Sequence, residues 1–236
     1  MLVFGLYDVW RLTGDEQYYE LLTAEAKYFR ESFTEEELED AGWLINLWSD
    51  DCAWNALLYL SFYSVTGDEW FVDRAIGLLD RVNERWYDEE LNGIRYRDGV
   101  DFMSSYEVGI AWSWLQLWEI TGEQRFYDLA LRSYEGMHDR LGWDNGLYAV
   151  EANAHFKIGE QSEICEAGSS SFLSGNLGMA ALSAKFYRLT GEQEYLDRVY
   201  KTNEGLLQYY EMAACCSTTG MPGPMAHIPL STLPRC

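Results

Sequence analysis

The sequence predicts an all-α fold built from helical hairpins, on two observations. Apolar helical runs each end in the same short turn, Thr-Gly-Asp or Thr-Gly-Glu, and an amphipathic run with apolar residues at three-four spacing follows. Apolar residues make up 48% of the chain, and the alternation typical of strands is scarce. The four turns are Thr13-Gly14-Asp15, Thr66-Gly67-Asp68, Thr121-Gly122-Glu123 and Thr190-Gly191-Glu192.

Each turn has a physical reason to separate two helices. Glycine adopts the left-handed conformation that ends a helix at little cost, and the next acidic residue suits the exposed N–H groups at a helix start. We therefore predict eight helices in four hairpins. Their predicted ranges are 5–12, 16–31, 50–65, 69–86, 105–120, 124–140, 173–189 and 193–211.

The connections between hairpins are much longer than the turns within them. They cover roughly 32–48, 87–104 and 141–172, so the short turns are expected on one face and the long loops on the other. Long loops on a helical scaffold commonly carry binding and catalytic residues. We expect the functional site on the long-loop face.

Composition narrows the function. The 236 residues form one main domain, predicted at 1–212, with a formal charge of −22 and a pI near 4.3. Such a surface repels nucleic acid and anionic lipid, and it suits a neutral or cationic ligand. Aromatic residues make up 16% of the chain, including ten Trp and seventeen Tyr, and aromatic rings suit stacking against sugars.

The sequence gives no sign of a membrane protein, a metal-binding protein or a disulfide-rich protein. No apolar run reaches the ~18 residues of a membrane helix, and no signal peptide opens the chain. The five Cys show neither zinc spacing nor a disulfide framework, so neither a metal nor a cofactor is predicted. Residues 213–236 lose the aromatic and acidic character and are expected to form an irregular tail.

An adjacent carboxylate pair, Asp50-Asp51, opens the third predicted helix and lies on the long-loop face. Retaining cleavage of a glycosidic bond needs one ionised and one protonated carboxyl about 5–5.5 Å apart, and neighbouring side chains on a helix could flank one bond. Close like charges also separate the two pKa values. The alternative is that Ser49, Asp50 or Asp51 only caps the helix.

The stretch 48–99 resembles glycoside hydrolase family 76, the endo-α-1,6-mannanases. The resemblance is carried by Asp50-Asp51, Trp54, Thr66-Gly67-Asp68 and Asn92-Gly93-Ile94-Arg95-Tyr96, and it extends weakly over about 5–211. It implies an (α/α)6 barrel, of which four of six hairpins are present, and a retaining mechanism on mannan. It also implies that Asp50 is the nucleophile, that Asp51 is the general acid/base, and that the protein is exported or on the cell surface.

Further residues are candidates for binding the sugar: Trp48, Trp54, Tyr106, Glu107 and Asn176. Each aromatic could equally be a packing residue, and Glu107 could instead stabilise a helix start. Where the family has Lys-Asn and Ser-Asn-Gly elements, this chain has Ser104-Ser105-Tyr106-Glu107-Val108-Gly109. The later Tyr-Asn-x-Gly element is present only as Phe172-Leu173-Ser174-Gly175-Asn176.

Other functions stay open. A sugar epimerase typically relies on paired histidines, but His138, His155 and His227 are scattered. An uronyl hydrolase would need an anionic substrate, which suits a chain of charge −22 poorly. A non-catalytic helical protein that binds glycans or partners is the third alternative. Because the barrel is incomplete, we expect exposed apolar flanks at 5–30 and 193–211 and self-association.

Overall fold

The computed structural model describes residues 2–32, 48–153 and 170–219, with side chains at 3–32, 48–150 and 173–211. The predicted all-α fold is confirmed, with eight α-helices in the described part. They are α1 (Leu2–Thr13), α2 (Glu16–Ser32), α3 (Ser49–Thr66), α4 (Glu69–Trp86), α5 (Val108–Thr121), α6 (Gln124–Leu141), α7 (Ser170–Thr190) and α8 (Gln193–Thr219).

Four short strands lie in the long connections. Strands β1 (Tyr87–Asp88) and β2 (Gly93–Ile94) form one antiparallel pair, and β3 (Phe102–Ser104) and β4 (Glu151–Asn153) form another. The first pair contains the Gly93-Ile94 segment. It lies within the connection from α4 to α5, and the second pair joins the end of that connection to the segment that follows α6.

Four helix ends differ from the prediction by three residues or more, since α1 and α7 each begin three residues earlier than expected and the start of α5 and the end of α8 also differ. A 3-10 turn, Ser105–Glu107, precedes α5, because a capping box formed by Ser104 and Glu107 closes the first turn more tightly than an α-helix. Helix α8 continues to Thr219, beyond the expected end at 211. The predicted boundary between the domain and the tail at 212/213 stays a prediction.

The odd-numbered helices form an inner layer. A Cβ at Gly109 in α5 would lie 3.1 Å from the Cβ of Ala53 in α3, and Ser113 Oγ donates to the Ala53 carbonyl (3.4 Å). A Cβ at Gly178 in α7 would lie 2.6 Å from Val108 in α5. These helices therefore approach closely near their N-terminal ends, at positions where a side chain larger than a hydrogen atom would not fit.

The even-numbered helices form an outer layer joined by ion pairs. Arg125, early in α6, pairs with Asp80 of α4 (3.1 Å), and further along Arg132 donates to Asn83 (3.1 Å). Because the second contact lies further along both helices than the first, α4 and α6 run in the same direction. The glycine turns that begin these outer helices therefore lie at the same end of the molecule, as predicted.

The four Thr-Gly-acid turns share one hydrogen-bond pattern. In each, the threonine hydroxyl donates to the carbonyl four residues earlier and accepts the N–H two residues later. For Thr66 these distances are 2.8 Å to the Phe62 carbonyl and 3.2 Å from the Asp68 N–H. The same pair of bonds occurs at Thr13, Thr121 and Thr190, and each glycine has φ between 67° and 74°.

The acidic residue of the turn acts in two ways. The Asp68 carboxylate accepts from the Trp70 N–H (3.2 Å) and pairs with Arg30 of α2. Glu123 makes no such capping bond and pairs instead with Arg125 (2.9 Å). The shorter aspartate side chain reaches the helix N–H groups, whereas the longer glutamate side chain reaches past them.

Two outer flanks expose apolar side chains, as expected. The most exposed is Leu12, at 86%. The others on the N-terminal flank are Val9, Leu21 and Tyr28, and those on α8 are Tyr200, Leu207 and Tyr210. Among the residues that the structure describes, no helix is long and apolar enough to cross a membrane.

The shared hydrogen bonds of the turn can be tested with Thr66→Val. This change keeps the shape and removes both bonds, so we expect it to lower the free energy of unfolding by about 1 kcal/mol in urea titrations. Ser64→Ala is the matched control, because the Ser64 hydroxyl only donates back to Leu60 within the same helix. Equal losses in the two variants would contradict the role of the turn.

The exposed flanks predict concentration-dependent self-association. We expect it to grow with added salt, which screens the repulsion between highly acidic chains. In sedimentation velocity experiments, Leu12→Glu together with Leu207→Glu should shift the protein towards monomer. Gln208→Glu places the same charge beside Leu207 without removing apolar surface and should have much less effect. A wild-type chain that stays monomeric at high concentration and high salt would refute this expectation.

Candidate functional site

The site lies where the inner helices begin. Helix α3 starts at Ser49, whose N–H donates to the Tyr96 carbonyl in the loop after β2 (2.9 Å). The 3-10 turn before α5 packs against α7, where a Cβ at Gly175 would overlap the Ser105 side chain. The starts of three inner helices and one long loop therefore meet on the long-loop face.

Aromatic side chains line this end of the molecule around Tyr96. The rings of Trp48 and Tyr96 are 5.1 Å apart, and Tyr106 stacks on the other side of Tyr96 at 6.3 Å. Trp48 is 44% exposed and also carries Arg97 over its ring at 5.6 Å. The exposed Trp48 ring and the partly buried Tyr106 ring provide flat apolar surface of the kind that packs against a sugar ring, while Tyr96 between them in the sequence is itself buried.

Asp50 and Asp51 occupy the first turn of α3 beside this aromatic group, and both are partly buried. Burial, and next the charge of Asp51, raise the pKa of Asp50 to about 6, although nearby backbone N–H groups oppose this. One oxygen of Asp50, Oδ1, is buried without a hydrogen-bond partner among the described residues. The carboxyl is thus able to gain and release a proton near neutral pH.

None of the three capping candidates, Ser49, Asp50 or Asp51, occupies the N-cap position of α3. The N-cap position of α3 is Trp48, whose side chain makes no capping hydrogen bond. Ser49, one of the residues that could have capped the helix, is buried with its hydroxyl unpartnered among the described residues. The loop carbonyl of Tyr96 engages the first N–H of the helix instead.

Glu107 lies at the start of the neighbouring inner helix and is fully buried. Its Oε1 accepts from the Ser104 N–H (3.1 Å), while the Tyr106 N–H donates to Ser104 Oγ (3.3 Å). The capping alternative considered for Glu107 is therefore present. Burial, with a further contribution from the charge of Asp50, raises the pKa of Glu107 well above its usual value.

Two candidate sugar-binding residues lie apart from this group. Trp54 is 48% exposed but faces Phe4 of α1, with ring centres 6.1 Å apart. Asn176 is fully buried, and its amide pairs with both backbone groups of Tyr148, at 2.8 and 3.0 Å. This geometry gives Asn176 a structural role under the loop, and its contact with substrate stays a prediction.

Sequence reasoning missed the central position of Tyr96. The residue is part of the Asn92–Tyr96 segment that carries the family resemblance, so a signal was present, but only the fold shows that it bridges Trp48 and Tyr106. The sequence reasoning also missed that Asp98, in the loop after β2, is bound to the outer helix α4. Its carboxylate accepts from Arg85 Nε (3.0 Å) and Trp86 Nε1 (2.7 Å), and these bonds lower its pKa to about 2.

Neither a metal centre nor a histidine pair can be assembled from the described residues. They contain no group of three His, Cys, Asp or Glu side chains placed to hold a metal ion. His138 lies in the outer helix α6, where its Nδ1 is 2.9 Å from the Tyr148 hydroxyl and burial lowers its pKa to about 4. His155 and His227 lie outside the described residues.

The architecture and site define a helical toroid of the (α/α)6 type with a carboxylate pair at one end. Residues 2–218 match the model of glycosyl hydrolase family 76, and the chain belongs to that family. A comparison of the sequence with curated proteins gives no match.

Solved structures share the fold at low sequence identity. The Lin0763 protein from Listeria innocua is 20% identical with a TM-score of 0.67, over 92% of this chain and 57% of that one. An inactive variant of the α-1,6-mannanase GH76A of Salegentibacter sp. HEL1_6, with two consecutive aspartates changed to alanine and α-1,6-mannotetrose bound, is 20% identical with a TM-score of 0.63. It matches over 87% of this chain and 58% of its own length.

Cellobiose 2-epimerase from Bacillus thermoamylovorans B4167 shares the fold as well. It is 14% identical with a TM-score of 0.63, over 85% of this chain and 56% of the epimerase. The chain thus spans less than three fifths of the length of these three structures. Four hairpins in the described part agree with that share of a toroid of six.

The raised pKa of Asp50 predicts that its charge destabilises the fold. The folded protein binds this proton more tightly than the unfolded chain does. The loss of unfolding free energy caused by the Asp50 charge is therefore absent below pH 3.8, grows between pH 3.8 and about 6, and has its full size above about pH 6. Asp50→Asn should therefore raise the free energy of unfolding by about 1–3 kcal/mol at pH 7.5. The gain should vanish at pH 4, which is the internal control in urea titrations. A variant that is less stable at pH 7.5 would show that the ionised carboxylate stabilises the fold.

Proposed function

We propose that this protein is a retaining glycoside hydrolase that cleaves α-1,6-mannosidic linkages in mannan-type polysaccharide. The observation that carries the proposal is the Asp50-Asp51 pair, partly buried at the start of an inner helix beside an open aromatic surface. A neighbour in the same family, bound to an α-1,6-linked mannose oligosaccharide, is described as inactive with two consecutive aspartates replaced. That parallel supports the assignment of the pair as catalytic and of the linkage.

The two carboxyls divide the chemistry. The ionised carboxylate of Asp50 attacks the anomeric carbon, the bond from that carbon to the leaving oxygen breaks, and the proton of Asp51 passes to that oxygen. A water molecule then attacks the glycosyl–Asp50 ester, giving its proton to Asp51 and freeing Asp50. Both groups return to their starting states, so the cycle consumes only the glycoside and one water.

The environment of Asp50 supports a role in chemistry. A carboxyl with a pKa near 6 is ionised above that pH and, being partly desolvated, is a stronger nucleophile and base than an exposed aspartate. Asp51, adjacent in sequence, contributes its charge to the raised pKa of Asp50. The first step needs the proton on Asp51 and the negative charge on Asp50.

The surroundings support a neutral sugar as substrate. Trp48 and Tyr106 flank Tyr96 at the same end of the fold as the pair, and we propose that Trp48 and Tyr106 contact the sugar. Trp54, half-exposed one turn along α3, could serve a more distant sugar residue in a long chain. With a formal charge of −22, the protein disfavours polyanionic glycans and nucleic acid.

The competing functions have less support. The likeness to cellobiose 2-epimerase shows the fold alone, and His138, the histidine that the structure describes, lies in an outer helix. A non-catalytic glycan-binding protein would have the aromatic surface, but it gives no reason for two adjacent aspartates with one raised pKa. The kinetic experiment below separates this alternative from catalysis.

The proposed roles predict different defects in the two aspartates. Asp50→Asn should abolish hydrolysis of α-1,6-mannan, because no nucleophile remains. Asp51→Asn should be severely impaired on mannan but should form its glycosyl-enzyme comparatively fast on an activated aryl mannoside, whose leaving group needs little protonation. Added azide should then restore turnover and give the glycosyl azide with retained configuration.

The result expected for a merely structural pair is different. Both variants would then lose at most about 0.5–2 kcal/mol of stability and would hydrolyse mannan at wild-type rates well below their unfolding temperature. That outcome, or a wild-type chain that binds mannan without cleaving it, would replace catalysis by the binding alternative. Asp73→Asn, an exposed aspartate on the outer helix α4, is the control for a generic loss of one charge.

A further inference from the structure

One of the two carboxyl oxygens of Glu107 takes no part in the capping box. Oε1 accepts the Ser104 N–H, but Oε2 is buried and has no hydrogen-bond partner among the described residues. The side chain is 0% exposed. A buried polar atom without a partner costs free energy, so a glutamate kept only as a cap would be expected to leave its second oxygen in water.

Three other side-chain oxygens in the same situation lie at these helix starts. They are Oδ1 of Asp50, Oγ of Ser49 and Oγ of Ser105, and all three are buried without a partner among the described residues. Helix α3 packs directly against the 3-10 turn that contains Ser105 and Glu107. Two carboxyl oxygens and two hydroxyls that lack partners thus lie at one helix–helix junction.

The protonation states make these atoms complementary. Burial raises the pKa of Glu107 and so favours its neutral form, and a neutral carboxylic acid has one O–H to donate. Because Oε1 accepts from a backbone N–H, the proton belongs on Oε2. Asp50 Oδ1, on a carboxyl that ionises above about pH 6, is an acceptor. At this junction the O–H on Glu107 Oε2 is a donor without an acceptor, and Asp50 Oδ1 is an acceptor without a donor.

We propose that Glu107 is a positioning residue, which donates a hydrogen bond from Oε2 to Oδ1 of Asp50, with the hydroxyls of Ser49 and Ser105 completing the network. This bond would fix the rotamer of Asp50 and leave the second oxygen of that carboxyl available for the proposed reaction.

The catalytic consequence depends on the function proposed above. A hydrogen bond donated to the ionised carboxylate favours that form and offsets part of the cost of its burial. At the pH where the enzyme works, Glu107 would then keep Asp50 ionised and hold its carboxylate in one orientation. It does so without touching the substrate, because it has no exposed surface.

The other ionisable groups near Glu107 are few. On α3 they are Asp50, Asp51 and Cys52, and in the preceding loop they are Arg97, Asp98 and Asp101. Tyr106 precedes Glu107, and Glu151 pairs through its backbone with Ser104. Residues 170–178 of α7 and 108–118 of α5 carry no titratable side chain. Of these groups, Asp50 has a charge that raises the pKa of Glu107, after burial as the main cause.

The test follows both carboxyls directly, by NMR with ¹³C-carboxyl-labelled Asp and Glu. In the wild-type protein, the Glu107 carboxyl should stay protonated from pH 4 to pH 8 while Asp50 titrates. In Glu107→Leu, which removes the donor, the midpoint of Asp50 should move up by about one pH unit. In Glu107→Gln, whose amide can both accept from Ser104 and donate to Asp50, the midpoint should stay near the wild-type value.

The sign of the shift separates the alternatives. If Glu107 were ionised, its removal would lower the Asp50 midpoint; if it served only as a cap, the midpoint would not move. Ser104→Ala is the matched control, because it weakens the same cap and leaves Glu107 in place, so it should lower stability without moving Asp50. A Glu107 carboxyl that titrates below pH 7 in the wild-type protein would overturn the proposal even if Glu107→Leu does not fold.

Activity gives a second, separable readout. With a mannan substrate, the acidic limb of kcat/KM should move upward in Glu107→Leu by the same amount as the NMR midpoint, and Glu107→Gln should recover the wild-type limb. If the wild-type chain does not cleave mannan, the proposed function fails while the NMR result still decides the role of Glu107. If cleavage occurs and the limb does not move in Glu107→Leu, the positioning role fails alone.

Discussion

The close approach of the inner helices at their N-terminal ends is the constraint on which the site depends. Glycines allow it, since Gly109 lies against Ala53, Gly178 against Val108 and Gly175 against Ser105. The helix starts consequently meet in a junction too tight for bulky side chains or free solvent. Carboxyls placed there lose hydration, and this loss is the main cause of the raised pKa of both Asp50 and Glu107.

Charge is distributed differently inside and outside the fold. On the outer layer, acidic residues pair with arginines, as Asp80 does with Arg125 and Glu135 with Arg198. These partly exposed pairs join neighbouring outer helices and are individually worth little free energy. At the inner junction, burial is the main influence on the pKa of Asp50 and Glu107. With a pKa of about 6, Asp50 can be protonated or ionised near neutral pH, which suits proton transfer better than a salt bridge would.

The repeated turn closes every hairpin in the same way, and the long connections position the residues of the candidate site. The threonine, the glycine and the acid close each hairpin with local hydrogen bonds, so the hairpin turns need no tertiary help. The connection from β1 to the 3-10 turn does something else: it places Tyr96 against Trp48 and Tyr106 and supplies the carbonyl that engages the first N–H of α3. The exposed apolar side chains on α1, α2 and α8 lie on the flanks of the four described hairpins.

The sequence by itself determined the hairpins, their turns and the carboxylate pair, because these depend on residues close together along the chain. Helical periodicity and a glycine that accepts positive φ are local properties, and the predicted range of α4 was right at both ends. Only the tertiary structure decided which polar atoms lost water. The burial of Glu107, the pairing of Asn176 with Tyr148 and the central place of Tyr96 each require contacts between distant segments. Desolvation is a property of such packing, so the pKa values that distinguish Asp50 and Glu107 from other acids could not be read from residue order.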